Sequence, residues 1–371
     1  MQQASLQSFI AQEAMAAGFS AAGIAAVPEP GSPEDLSDRE TFAEWIEQGN
    51  AGEMEYLKRR NDAGELVRSS LRVAVPWVRS VIVCVTNYNT AQPRSIDSAP
   101  EAAGWIARYA WTGQPNGDGL SPSDYHKVIL KRLERMEAVL KNELGPFESK
   151  CYVDTGPLVE RIYARYAGLG WTGKNTCILD QKLGSWLFLG VILTSIELPS
   201  DQRATLAADR CGSCTRCIDA CPTGALTAPR QMDASLCISY LTIEKRGLVP
   251  QELRSAVGRQ IFGCDICQDV CPWNRKAPIA ADPELQPRTE LVNPALDWLA
   301  ELDQEEFGQR FFGSPIKRAK FEGLRRNIAI AMGNSGLRQF LPKLQEWTVS
   351  DEGILAETSA WAIQQIENRT S

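Results

Sequence analysis

Cys211, Cys214, Cys217 and Cys221, with Pro222 following, read C-x2-C-x2-C-x3-C-P. Turns at this spacing aim three thiolates at one iron–sulfur cube and send the fourth to a second cube. Cys264, Cys267 and Cys271 before Pro272 repeat the pattern without its leading cysteine, whose place is taken by Ile261. Cys237, in the intervening segment, can supply the missing thiolate. The natural partition is Cys211, Cys214, Cys217 and Cys271 for one 4Fe-4S cluster and Cys221, Cys237, Cys264 and Cys267 for the other. Zinc ribbons would show two separated C-x2-C pairs instead.

Two adjacent cubes with every iron protein-ligated are an electron relay, which leaves open what the relay feeds. Cys84, Cys151 and Cys177 lie in or beside apolar strands and read as buried, inert thiols. The chain has one histidine, His126, which argues against histidine-rich metal sites and most nucleophile–histidine catalysis. Asp154, at a strand end in VDTGPLVER, is either an acid able to deliver a proton beside a reduced cofactor or the cap of the following helix. Asp124 and His126 read as the solvated first turn of a helix.

The stretch GLGWTGKNT, residues 168–176, satisfies both G-x-G-x-x-G and G-x-x-x-x-G-K. Either nucleotide motif needs a strand entering the glycines and a helix leaving them, so that the helix N-terminus meets phosphate. Here LVERIYARYAG enters as a helix and a strand leaves, with Gly168 or Gly170 placed as a helix C-cap. Asn175 also stands where a phosphate loop has Ser or Thr. Both nucleotide readings fail on context.

The elements around these residues predict an α+β chain. Ala43 to Arg60 is helical and Val78 to Tyr88 is a buried strand. AWTGQPNGDGLSPSDYH is a long loop, leading to a helix capped by Ser121 with the apolar stripe Ile129, Leu133, Met136, Leu140 and Leu144. Strands follow at Lys150–Gly156, Thr176–Asp180 and Gly184–Thr194. From about Pro287 the chain is helical, with IAIAMGNSG and SAWAIQQIE aligning at a shift of 31 residues, a period that suits HEAT-type helix pairs. The domains expected are 1–200, mixed α/β; 201–284, ferredoxin-like; and 285–371, helical and HEAT-like.

With 371 residues and a net charge of −7, the chain can bury several cores and has no global attraction for nucleic acid or anionic lipid. Its N-terminus lacks an export pattern and no apolar run is long enough to span a bilayer. Clustered thiols fit a reducing, cytoplasmic setting. Ile316 to Arg326 is a local basic run, with Lys317, Arg318, Lys320, Arg325 and Arg326 against Glu322 alone. Such a run can be a solvated helix face or a set of phosphate contacts.

VDTGPLVERIYARYAGLGWTGKNT, CGSCTRCIDACPTGAL, CISYLTIEKRG, FGCDICQDVCPWN and FEGLRRNIAIAMGNSG, in that order, resemble the tRNA epoxyqueuosine reductases. The resemblance implies a monomeric cobalamin enzyme, fed through two 4Fe-4S clusters by an external low-potential donor, that removes the epoxide oxygen of epoxyqueuosine in a tRNA anticodon loop. It implies Asp154 as proton donor and base-off cobalamin between the N-terminal domain and the cluster module. Cobalamin contacts would fall on Arg68, Ala107, Asp154, Lys174, Asn175, Ile178, Leu189, Ser239 and Asp265. Ala107 stands where some relatives place a cysteine over the cobalt. Lys245 would touch tRNA, and the basic run then reads as phosphate contacts. A reductive dehalogenase shares a similar core, but it would bring a twin-arginine signal and need no helical tail.

Overall fold

The computed structural model describes residues 3–200 and 208–369. The expected boundary at 200/201 abuts residues 201–207, outside the described residues. A four-stranded sheet organises the first part, in the order Ala21–Ala26, Ser80–Asn87, Leu187–Thr194, Ser149–Tyr152, antiparallel throughout. Ser80–Asn87 is buried along its whole length, and alternation sends its side chains to two different cores. Ile82 and Cys84 meet the helices Gln3–Ala16 and Tyr125–Leu144 on one face. Val81 and Val83 meet Glu160–Tyr166 on the other. Ile129, Leu133, Met136 and Leu140 are the buried stripe of the long helix. A Cβ added at Gly190 would lie 2.7 Å from Ile129, so glycine lets that helix settle on the strand.

Three local expectations change. The helix expected over 43–60 is instead Pro33–Glu47, capped by Ser32; Gly49 and Gly52, with φ of 78° and 54°, stop it. The expected long loop is a hairpin, Thr112–Asn116 with Gly119–Pro122, turning at Gly117 with φ of 58°. Ser121 therefore sits in a strand, and Asp124 caps the helix through its bond from the His126 N–H.

The cluster module and the helical tail share a single core. Ile238, Leu241, Val257, Ile261 and Phe262 pack with Leu324, Ile328 and Ile330 of the helix Lys320–Ser335, and Trp105 and Ile106 of the first part join them. The repeat segments lie in Lys320–Ser335 and Gly353–Asn368, which pack on each other: a Cβ at Gly333 would meet the Ala362 Cα at 2.8 Å. Among the described residues no helix is long and apolar enough to cross a membrane.

Arg326 and Asn327 hold this junction. Arg326, 1% exposed, donates to the carbonyls of Leu241, Lys245 and Gly247 at 2.7, 2.9 and 2.6 Å. Asn327 donates to those of Thr242 and Ile261, both at 2.8 Å. Arg326 is therefore removed from the expected RNA contacts: its guanidinium caps main chain inside the core. Arg326→Met leaves three carbonyls unmet, at about 1–3 kcal/mol for each buried group. The thermal midpoint of the cluster-loaded protein is expected to fall by about 5 °C or more. Lost RNA affinity at an unchanged midpoint would return this residue to the binding surface.

Candidate functional site

The thiols fall into two groups. Cys217 neighbours Cys211 and Cys214, and Cys271 neighbours Cys211 and Cys217. Cys237 neighbours Cys221; Cys264 neighbours both, and Cys267 neighbours Cys264 and Cys237. Among the described residues no three His, Cys, Asp or Glu side chains converge on one metal-ion position. Burial and mutual repulsion push Cys271 up to about 11; ligation would displace such protons. Backbone N–H groups already aim at sulfur: Ser239 and Tyr240 at Cys237, Ile266 at Cys264, Trp273 at Cys271. The indole N–H of Trp171, 3% exposed, has no protein partner, and the Trp171 side chain shares a small apolar cluster with Cys271, against which Cys211 packs. An orphaned donor beside two thiols fits a sulfur-rich group placed there.

Cys84 is sealed beside Met136, 3.8 Å away, and burial pushes Cys151 up to about 12. Cys177 departs from the inert reading because it hydrogen-bonds Cys267. The turn that carries it is the glycine stretch. Gly168 and Gly170, with φ of 71° and 150°, lead from the helix Glu160–Tyr166 into the short strand Trp171–Thr172. The helix thus enters the glycines and a strand leaves them, the reverse of a nucleotide loop. A Cβ at Gly170 would lie 2.4 Å from the Leu179 carbonyl, so the glycine permits close backbone approach.

Asp154 takes a φ of 58°, a conformation that non-glycine residues adopt at some cost. The following helix begins only at Glu160, so Asp154 does not cap it. Its carboxylate, 72% exposed, lies 3.7 Å from His126 Nε2 and accepts from the Tyr125 hydroxyl at 3.4 Å. His126 Nδ1 lies 2.7 Å from Asp124 Oδ1. Burial opposes the imidazolium, but the Asp124 and Asp154 carboxylates outweigh it and lift His126 to about 9. Burial raises Asp124 while His126 lowers it, and the net shift is downward. Asp124 and His126 are thus part of an Asp–His–Asp chain, which the helix-start reading missed. The signal was a histidine two residues after an acid at a helix N-cap, and only folding brought Asp154 to it. The rings of His126, Tyr125 and Phe188 stack in series at 4.0 and 4.1 Å, fixing the imidazole plane.

Of the other expected cofactor contacts, several are supports rather than walls. Ala107 is 1% exposed and Ile178 3%; a Cβ on Gly263 would come within 2.5 Å of the Ala107 Cβ. Asp265, also 1% exposed, accepts from the Arg108 N–H at 2.7 Å and from Trp105 at 3.2 Å. Asn175 binds the Cys267 carbonyl at 3.4 Å and receives the Cys177 N–H. Lys174 donates to the Gly212 carbonyl at 2.7 Å. The polar ends of the buried Asp265 and Asn175 are spent on protein, a correction to their reading as contacts, while Lys174, partly exposed, keeps two further N–H donors. Arg68, Leu189 and Ser239 are half-exposed, Arg68 with its guanidinium 5.5 Å over Tyr56.

The expected RNA contacts divide similarly. Lys245 pairs with Glu53, Arg318 with Glu244 at 2.8 Å and Arg325 with Glu352 at 2.6 Å. Lys317 and Lys320 are exposed and, among the described residues, form no salt bridge. Arg318 and the Tyr56 hydroxyl both feel the Asp154 charge, so of these cations Arg318 lies near the acid.

Two four-cysteine groups and an exposed acid paired with the one histidine define a two-cluster iron–sulfur oxidoreductase. Residues 210–274 match the 4Fe-4S double cluster binding domain, and residues 68–155 match the family described as epoxyqueuosine reductase QueG, DUF1730. The epoxyqueuosine reductase of Xanthomonas campestris is 38% identical, over 94% of this chain and 93% of its own length. That of Escherichia coli is 35% identical, over 98% and 90%. A crystal structure of an epoxyqueuosine reductase with an epoxyqueuosine-modified tRNA-Tyr stem loop superposes with a TM-score of 0.84 at 28% identity, covering 98% of this chain and 91% of that one. The structure from Streptococcus thermophilus gives 0.80 at 27%, with the same coverage. The chain belongs to the epoxyqueuosine reductase family.

With one histidine in the chain, imidazole NMR reports the Asp–His–Asp chain without overlap. His126 is expected to titrate near 9, and Asp124→Asn to move it down toward the ordinary value. Because the folded value lies above the unfolded 6.5, the charge contributes stability fully below about pH 6.5 and loses it as pH rises through about 9. A wild-type midpoint near 6.5 would show that the chain does not form.

Proposed function

We propose that this protein reduces epoxyqueuosine to queuosine in a tRNA anticodon loop. The observation that carries the reading is that Tyr109 joins the acid to the second cysteine motif: its ring packs edge-on against Tyr125, the hydrogen-bond partner of Asp154, and at a tilt against Phe262, two residues before Cys264, and we read the surface beside it as the cleft. The tRNA stem-loop complex of a relative supports the same substrate. One cluster is held by Cys211, Cys214, Cys217 and Cys271, the other by Cys221, Cys237, Cys264 and Cys267. An external low-potential donor supplies the electrons in the cytoplasm, where thiols stay reduced. The tail is read as HEAT-like and carries the RNA.

Cobalamin fits the residues that border this cleft. Tyr109 and Leu189 offer half-exposed apolar surface, and the buried Glu160 Oε1, without a protein partner, is free for a corrin amide. His126 is engaged by Asp124 and Asp154, so the one imidazole of the chain would not be offered to the metal. When bound, cobalamin supplies the reduced metal centre that attacks a strained epoxide.

The protein's own task is the proton. Removing an epoxide oxygen as water takes two electrons and two protons and leaves an alkene. Asp154 reaches into the cleft on its left-handed backbone and delivers a proton to the departing oxygen. His126, charged up to about pH 9, keeps its proton and holds the Asp154 carboxylate in position, Asp124 holds the ring in place, and solvent, open to the 72%-exposed Asp154, reprotonates the acid.

Reconstituted anaerobically with cobalamin and a reductant, the protein is expected to remove one oxygen mass from the modified nucleoside in a tRNA digest. No mass change with clusters and cofactor bound would overturn the reading. Asp154→Asn is expected to slow turnover by about 100-fold or more with the iron content intact. Cys237→Ala and Cys214→Ala should each remove about half of the iron and abolish different cluster signals in electron paramagnetic resonance; identical residual signals would overturn the partition.

A further inference from the structure

Phe312 is 69% exposed, while its neighbour Phe311 is fully buried. The chain turns sharply here: the Phe312 N–H is held by the Gln309 carbonyl at 3.2 Å and the Ser314 N–H by that of Phe311 at 3.1 Å, with Gly313 at a φ of 67°. Phe311 thus anchors the turn in the core and Phe312 is held out in water, where an aromatic ring gains nothing by itself. Two ammonium groups from separate parts of the chain flank the ring. Lys127 Nζ stands 5.8 Å and Lys317 Nζ 5.7 Å from its centroid. Both lysines are exposed and, among the described residues, neither forms a salt bridge. Lys127 directly follows His126, so the platform lies one residue from the proton chain.

An exposed ring carrying two ammonium groups that have no carboxylate partner among the described residues matches single-stranded nucleic acid: the lysines swing from the ring to the phosphates on either side, and the freed face stacks a base. Duplex RNA offers no free base face, and an acidic peptide would use the lysines without needing the ring. We propose that Phe312, with Lys127 and Lys317, stacks an unpaired base of the substrate RNA, one flanking the base that enters the cleft. This rests on the tRNA-directed reading of the Asp154 site and adds to it how the loop is gripped beside that site.

The test is fluorescence anisotropy of an epoxyqueuosine-bearing anticodon stem-loop on the fully loaded protein, over a series of salt concentrations. Phe312→Ala is expected to weaken binding by about 10-fold, within the range that alanine substitution of a stacking residue gives, with an unchanged slope of log Kd against log salt. Phe312→Trp is expected to bind within about 2-fold of wild type, since a larger ring still stacks. The double change Lys127→Gln with Lys317→Gln is expected to reduce the slope by about 1.4, at about 0.7 per phosphate contact for single strands. Wild-type affinity in Phe312→Ala, with the wild type binding normally, overturns this inference alone. Failure of the wild type to bind the stem-loop overturns the tRNA reading and the inference with it.

Discussion

A cysteine triplet cannot close a cube by itself, and the chain depends on bringing Cys271 beside Cys211 and Cys217 although more than fifty residues separate it from either. Thiols packed this closely repel as they ionise, and burial adds to the cost. The surrounding structure therefore holds the two motifs rigidly from several sides. Asp265 clasps the 105–108 segment, Lys174 reaches Gly212, Asn175 grips the Cys267 carbonyl, and Arg326 and Asn327 fasten the helical tail beneath. The glycine turn that resembles a nucleotide loop is one of these clamps.

The same arrangement separates two kinds of charge. Around the thiols, donors are backbone N–H groups and the Trp171 indole, fixed dipoles that need not reorganise when an electron arrives. Around Asp154 they are titratable: His126 is lifted by two carboxylates, and Arg318 and Arg68 stand nearby.

Cysteine grouping was legible in the sequence because ligand spacing is local: a C-x2-C-x2-C run fixes its own turns. The buried strand Ser80–Asn87 and the stripe from Ile129 to Leu140 were legible for the same reason, since period and β-branching act within a few residues. The 112–122 hairpin was hidden by Gly and Pro that suit a loop as well as a turn. Arg326 was misplaced because a basic run looks alike whether its members face water or main-chain carbonyls. Asp265 and Asn175 were misplaced because order along the chain does not say which polar atoms are already spent.

By itself the sequence determined the cluster chemistry, the failure of the nucleotide readings and the choice of Asp154 as a candidate acid, because each rests on residue type and short-range order. Only the tertiary structure decided that Asp154 meets His126, that Cys177 touches Cys267, and that Lys317 faces outward while Arg326 faces in. Those outcomes depend on side chains drawn from distant segments competing for the same space and the same hydrogen-bond partners, and no local pattern encodes the result of that competition.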